Sequence, residues 1–164
     1  LNDCKYGISM NANALELTLL RAAASPEMRA DNKIHRFTYG FTAWEGSFTD
    51  SDVVRQGYEL NVKPLITAGS IKTFRAAQVE KENVILDTLK PAEDGSGDLI
   101  LRLYESKKAS VSTRVEFSFG CCRAYLCDML ENAEEEIPME NGGIRLEFKA
   151  FEVKTVRVQT GLHT

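Results

Sequence analysis

The strongest constraint on this chain is a set of apolar residues that recur at every second position. Leu99, Leu101 and Leu103 share one side, with Arg102 and Tyr104 on the other. Val115, Phe117 and Phe119 alternate with Glu116 and Ser118, and Ile144, Leu146 and Phe148 alternate with Arg145, Glu147 and Lys149. A period of two is the pleat of a strand, whereas a helix would scatter these side chains around its axis. Each run therefore predicts a strand with one face in a core and the other in water.

Weaker signals extend the pattern. Leu15, Leu17 and Leu19 alternate with Glu16 and Thr18, and Phe37, Tyr39 and Phe41 with Thr38, Gly40 and Thr42. These predict two more strands, each with a buried face, the second aromatic. Val84-Ile85-Leu86 is apolar throughout and predicts a strand covered on both faces, and Ala124 to Leu130 is a further candidate. Phe151 and Val153 continue the inward face of the last run, but Val156 and Val158 fall one residue out of phase. A β-bulge near Lys154 would reconcile them.

Punctuation between the runs fits this reading. The segment Glu93-Asp94-Gly95-Ser96-Gly97 is a turn, Asn141-Gly142 is a hairpin signal, and Glu134-Glu135-Glu136 reads as a solvated acidic loop. Arg21 to Asn32, broken by Pro26, is a loop, and Thr67-Ala68-Gly69-Ser70 is a connector. One short helix is predicted, where Thr49-Asp50-Ser51-Asp52 offers N-caps ahead of Val53, Val54, Tyr58 and Leu60. The class is all-β, an antiparallel sandwich with one short helix.

Hydrophobic residues make up 43% of 164 residues, enough for a core in one domain or two small β units. The net charge is −4 with basic residues scattered along the chain, and nucleic acid, which needs a concentrated basic face, is not an expected partner. From Leu1 onward there is no basic n-region and no long apolar stretch, so neither a signal peptide nor a membrane partner is expected. Asn2 to Gly7 already reads as the middle of a sheet-and-turn region, which suggests a piece of something longer.

Cys121, Cys122 and Cys127 crowd within seven residues, with Cys4 far away. Adjacent cysteines rarely satisfy disulfide geometry with each other, and free thiols in a reducing compartment are expected. Zinc needs about four converging Cys or His ligands, and His35 and His163 both stand far from the cysteines in sequence.

Phosphate-loop, dinucleotide, hydrolase-elbow and zinc-protease motifs are absent. A histidine-based site would rest on His35, which precedes an aromatic run and reads better as a hydrogen-bonded structural residue. Glycosidases need two carboxylates flanking the sugar bond, yet nearly every Asp and Glu here falls in a turn or points outward. Trp44, the single tryptophan, is either a sugar-stacking platform or a partly buried core residue.

A family resemblance rests on particular segments. Asn2-Asp3-Cys4-Lys5-Tyr6-Gly7 followed by Leu15-Glu16-Leu17-Thr18-Leu19-Leu20-Arg21 resembles the C-terminal region of family 38 glycoside hydrolases, the α-mannosidases, most closely their cytosolic branch. His35-Arg36-Phe37-Thr38-Tyr39, Val84 to Lys90, Leu101 to Glu105 and the closing Phe151 to Val158 extend it over nearly the whole chain. Arg36 stands where the family usually carries Glu, and Gly40-Phe41-Thr42-Ala43-Trp44 replaces a segment that often reads differently.

The resemblance implies a C-terminal β region made of a large sandwich, whose last strands would be residues 1–63, and a small terminal sandwich at 64–164. It implies a retaining, zinc-dependent α-mannosidase acting on terminal α-mannosides in the cytoplasm. The Asp nucleophile and the zinc would sit in an N-terminal catalytic domain of the same chain, so neither catalytic nor metal-binding residues are assigned here. That domain and a mannose-containing oligosaccharide are the expected partners. Asp3, Lys5 and Tyr6 would line the rim of the sugar site. Two alternatives stand beside it: an autonomous carbohydrate-binding module stacking sugar on Trp44 and Tyr39, and a β-sandwich interaction domain with no sugar role.

Alkylation without reductant, followed by intact-mass measurement, is expected to show all four cysteines modified. A mass short of full alkylation that reduction restores would mean the thiols are bridged.

Overall fold

The structure is a computed structural model and describes residues 1 and 7–160; Asp3, Cys4, Lys5, Tyr6 and His163 lie outside the described residues. The chain divides into two compact units, Leu1–Ala68 and Gly69–Thr164. Among the described residues no helix is long and apolar enough to cross a membrane.

In the first unit, β1 (Ile8–Asn11) and β2 (Ala14–Leu17) form an antiparallel hairpin, with Ile8 opposite Leu17 and Asn11 opposite Ala14. A short 3-10 turn, Phe48–Asp50, is closed by Ser47, whose amide donates to Asp50 Oδ2 at 2.8 Å. Helix α1 (Val53–Asn61) follows, with Asp52 at its N-cap. Val53, Val54, Tyr58 and Leu60 are half-buried on one side, while Arg55 is exposed and bridges Asp52 at 2.7 Å and Glu59 at 3.4 Å. The helix is the one the capping residues predict.

Two expectations for this unit are overturned. Leu15, Leu17 and Leu19 do not form a strand with a buried face, because β2 ends at Leu17 and both Leu15 and Leu19 are exposed. Phe37, Tyr39 and Phe41 make no strand at all, only an isolated bridge at Tyr39. A strand exists only where a neighbour supplies a ladder of hydrogen bonds. Here the described ladder is one pair: Gly40 N donates to Leu1 O at 3.0 Å and Leu1 N to Gly40 O at 2.9 Å.

The second unit is a two-layer antiparallel sandwich. Its strands are β3 (Ala77–Val79), β4 (Val84–Pro91), β5 (Leu99–Glu105), β6 (Val111–Phe117), β7 (Arg123–Cys127), β8 (Ala133–Ile137), β9 (Met139–Glu140), β10 (Gly143–Phe148) and β11 (Val153–Gln159). One sheet has the order β3-β6-β10-β9 and the other β4-β5-β11-β7-β8. Both contribute to a single core. Val115, Phe117, Ile144, Leu146 and Phe148 come from the first, and Leu101, Leu103, Ala124, Val156 and Val158 from the second. The alternating runs at 99–103, 115–119 and 144–148 thus supply the inner faces expected of them.

Turns occur where the sequence places them. Asn141 and Gly142 have φ of 47° and 72°, the left-handed pair that a two-residue hairpin requires. Gly143, just beyond, has another reason to lack a side chain, since a Cβ there would lie 2.6 Å from Val115 O. Arg114 clasps this turn, donating through Nη2 to the carbonyls of Glu140 (2.6 Å) and Asn141 (3.0 Å).

Three readings of this unit are corrected. No bulge occurs near Lys154, because β11 pairs in unbroken register with β5 from Val153 to Val158. Phe151 lies before the strand at φ 58°, and it and Val153 are exposed; Lys154 instead joins the side of Val156 and Val158, its Nζ 5.8 Å from the Phe148 ring centroid. Glu134, Glu135 and Glu136 are not a loop but most of β8, an edge strand whose charges suit a side open to water. The candidate strand at Ala124 to Leu130 stops at Cys127, where Asp128 begins a turn.

Glu105, at the end of β5, is fully buried. Its carboxylate accepts from Lys107 N (2.7 Å), Asn83 Nδ2 (3.0 Å) and Phe151 N (3.0 Å), and from the Ala109 amide. Burial alone would raise its pKa, but these donors outweigh it and hold the carboxyl below the usual glutamate range. Removing it would leave buried amides without acceptors. Glu105→Ala is expected to lower unfolding free energy by about 3 kcal/mol in urea titrations, with Glu105→Gln intermediate. Because the folded pKa is lowered, the stabilisation is present above the unfolded value and is lost as pH falls through the folded one. The gap between wild type and Glu105→Gln should therefore shrink below about pH 4.

Candidate functional site

The first unit holds an apolar hollow of about 610 Å³. The hairpin supplies Ile8, Leu15 and Leu17, and the following loop supplies Tyr39, Phe41 and Trp44. Trp44 is set by a hydrogen bond from Nε1 to Ser47 O at 3.0 Å, which leaves 45% of the residue exposed. Tyr39 and Phe41 are more exposed still, at 66% and 86%. The hollow thus brings together Tyr39 and Trp44, the two aromatics that sequence singles out for stacking. Among the described lining residues, the polar side chains are those of Thr42 and Tyr39. Such a surface can stack on a ring or receive an apolar neighbour, and among the described residues that line it there is no acid–base pair for bond cleavage.

His35 is engaged structurally. Its Nε2 lies 2.9 Å from Asp31 O and its ring stacks on Phe37 with centroids 6.1 Å apart. Asp3, Lys5 and Tyr6, the rim residues implied by resemblance, lie outside the described residues.

Cys121 and Cys127 are poor nucleophiles. Cys121, Cys122 and Cys127 are free. Burial pushes the Cys121 and Cys127 thiols up, the Cys122 neighbour adding to the effect at Cys121, whereas a reactive cysteine needs its pKa lowered. Among the described residues no three His, Cys, Asp or Glu side chains are grouped so as to hold a metal ion.

The second unit carries a different hollow, of about 350 Å³, on its five-stranded sheet. Glu93, Asp94, Arg102, Glu131, Asn132 and Arg157 line it together with Met129 and Leu130. Arg157 anchors one wall, bonding Asp98 and Asp94 at 2.7 Å each and Ser96 Oγ at 2.9 Å. Hydrogen bonds from Ser96 and from Arg157 hold the Asp94 carboxyl at about 2. Sequence reasoning missed this cluster. The outward positions of Arg102 and Arg157 are readable from alternation, but their proximity depends on the pairing of β5 with β11.

Comparison with known proteins places these features. Residues 83–156 match the glycosyl hydrolases family 38 C-terminal beta sandwich domain, a stretch running from the start of β4 into β11. The chain is 35% identical over 161 residues to alpha-mannosidase 2C1 of Homo sapiens, an alignment covering 93% of this chain and 16% of that protein. It is 34% identical to alpha-mannosidase 2C1 of Mus musculus, covering 95% of this chain and 16% of the relative. Identity to alpha-mannosidase G of Dictyostelium discoideum is 31%, over 96% of this chain and 15% of the relative. The chain thus spans about one sixth of the length of these curated relatives. Its antiparallel sandwich, its alternating core and these alignments agree, and the chain belongs to glycoside hydrolase family 38 as part of the C-terminal β region of its α-mannosidases.

Proposed function

We propose that this chain is the C-terminal β portion of a zinc-dependent, retaining α-mannosidase that removes terminal α-mannosides in the cytoplasm. In this reading it braces a catalytic portion of the same polypeptide and lines the rim of the sugar site, and it is inactive alone. The observation that carries the proposal is 35% identity to alpha-mannosidase 2C1 across 93% of this chain but only 16% of that protein. A domain so placed needs no nucleophile of its own.

The exposed apolar side chains of the first unit support the bracing role. Leu15, Tyr39, Phe41 and Trp44 gather around one hollow, and water is a poor permanent neighbour for such a patch. The remaining five-sixths of an α-mannosidase chain is the covering partner this reading supplies. Zinc, held in that catalytic portion, would polarise the sugar hydroxyls.

Asp3, Lys5 and Tyr6 are proposed as the rim residues. A carboxylate, an ammonium and a phenol in one short segment suit the hydroxyl pairs of a neutral sugar. The reading as an autonomous carbohydrate-binding module draws on the exposed Trp44 and Tyr39. It would require Trp44 fluorescence of the isolated chain to shift saturably with mannobiose.

Purified alone, the chain is expected to show no turnover of an aryl α-mannoside, with or without added zinc; turnover with contamination excluded would overturn the proposal. In the full-length enzyme, Lys5→Ala should lower kcat/KM by about tenfold or more, since a hydrogen bond from a charged group is lost. The melting temperature should hold. Unchanged kinetics with a clear fall in melting temperature would make Lys5 structural.

A further inference from the structure

The turn between β9 and β10 holds a chemically reactive dipeptide. Of the eight asparagines in the chain, only Asn141 is followed by a glycine. The backbone nitrogen that follows an asparagine can attack that residue's own side-chain amide, and a Cβ on the attacking residue hinders the approach. Gly142 has none, and outside its chain neighbours the nearest heavy atom to where one would lie is Phe117 O, at 4.0 Å. Both residues of the turn are exposed, so water reaches them. Asp94-Gly95 is the comparable aspartyl pair, but hydrogen bonds from Ser96 and Arg157 hold the Asp94 pKa at about 2, and an ionised carboxylate is a poor electrophile.

The shape of the turn works against the reaction. With φ of 47° and 72°, Asn141 and Gly142 form the left-handed two-residue hairpin, in which ψ of the first residue is about +30°. Closing a five-membered ring onto the Asn141 side chain requires the peptide unit that joins the two residues to rotate far from that angle. The carbonyl of this same unit is held by Arg114, whose Nη2 donates to Asn141 O at 3.0 Å and to Glu140 O at 2.6 Å. Rotation must therefore break a hydrogen bond from a charged donor. Phe117 N, donating to Gly142 O at 3.0 Å, pins the next peptide unit as well.

Arg114 is itself fixed in place. Its Nε donates to Glu116 Oε1 at 3.0 Å and its backbone amide to Glu80 Oε2 at 3.3 Å, and the side chain is 19% exposed. It stands directly opposite Arg145 in the β6–β10 ladder, where like charges repel, and the turn carbonyls and Glu116 offset that repulsion. Its guanidinium has two opposed effects on the turn. By drawing on the Asn141 carbonyl it makes the Gly142 N–H more acidic, which favours attack. By holding the peptide unit it keeps the nitrogen from reaching Cγ. Position decides, because a nucleophile outside attack geometry gains nothing from acidity.

We propose that Asn141 is this chain's site of spontaneous deamidation and that Arg114 is the positioning residue that restrains it. Gly142 N bonds to Asn141 Cγ, the Cγ–Nδ2 bond breaks, and ammonia leaves with the proton from the Gly142 amide. Water then opens the cyclic imide at either carbonyl. The product is aspartate or isoaspartate, the latter with an extra backbone carbon in the link from β9 to β10.

Incubation of the full chain at mildly alkaline pH, followed by peptide mass mapping, tests both parts. In urea, Asn141 should convert before any other asparagine, and at least ~tenfold faster than in the folded chain, where a charged hydrogen bond must first break. Arg114→Ala should raise the folded-state rate at least ~fivefold with circular dichroism unchanged. Arg114→Lys keeps the charge with a single donor nitrogen; it should give an intermediate rate, and it decides the matter should the alanine variant unfold. Another asparagine converting first in urea would overturn the site. Equal rates in the folded and unfolded chain, or a folded Arg114 variant that converts at the wild-type rate, would overturn the restraint.

Discussion

A single buried carboxylate organises the crossover end of the sandwich. Glu105 terminates β5, yet it sits on the core-facing side of that strand, where an unpaired charge would be very costly. Four donors answer it, and they come from three separate places: Asn83 just before β4, Lys107 and Ala109 in the link to β6, and Phe151 in the turn from β10 to β11. Its own amide donates to Glu152 O at 3.0 Å, and Ser106 adds two bonds to Asn83 O. These links join both sheets at one end. No hydrophobic residue could do this, because the groups being gathered are amides that need acceptors once water is excluded.

That constraint explains why the phase of the last strand was misjudged. Phe151, with Val153, is an apolar residue close behind Ile144, Leu146 and Phe148, although it stands three positions beyond Phe148 and so off their alternation. Its amide is claimed by Glu105 and its backbone turns left-handed, which ends the alternation of β10; in β11 it restarts with Val156 and Val158 buried and Val153 exposed. Period-two reasoning assumes that consecutive apolar residues share one strand. It has no means of sensing a turn built from Lys149 to Glu152 that lacks Gly and Pro. Glu134 to Glu136 failed for the converse reason. Charge on both faces hides the pleat, although an edge strand open to water tolerates it.

What was legible was whatever local chemistry settles by itself. Asn141-Gly142 and the turn at 93–97 each need only a few neighbouring residues to specify them, and each is where the sequence puts it; the helix at Val53 also forms where expected, although Asp52 at its N-cap makes no side-chain capping bond. The candidate sites were less legible because they depend on register. Arg102 and Arg157 approach each other through the alignment of Thr155 with Arg102 and of Arg157 with Ile100. Glu131 joins them through a turn whose shape comes from Asp128. The resemblance to a family named rim residues directly, but no alternation pattern or motif points to Asp3, Lys5 or Tyr6.

The two units solve the burial problem differently, and the difference bears on function. The second unit closes its own core, with Leu101, Leu103, Val115, Val156 and Val158 at no exposure from facing sheets. The first unit keeps strand-like sequence in Leu15 to Leu19 and Phe37 to Phe41 without, among the described residues, the layers such strands require. Apolar alternation is selected only where something covers it. This chain spans about one sixth of the length of its α-mannosidase relatives, and the bracing role proposed for it would cover those side chains. The second unit thus carries its core within itself, whereas the first, among the described residues, leaves its apolar alternation largely exposed.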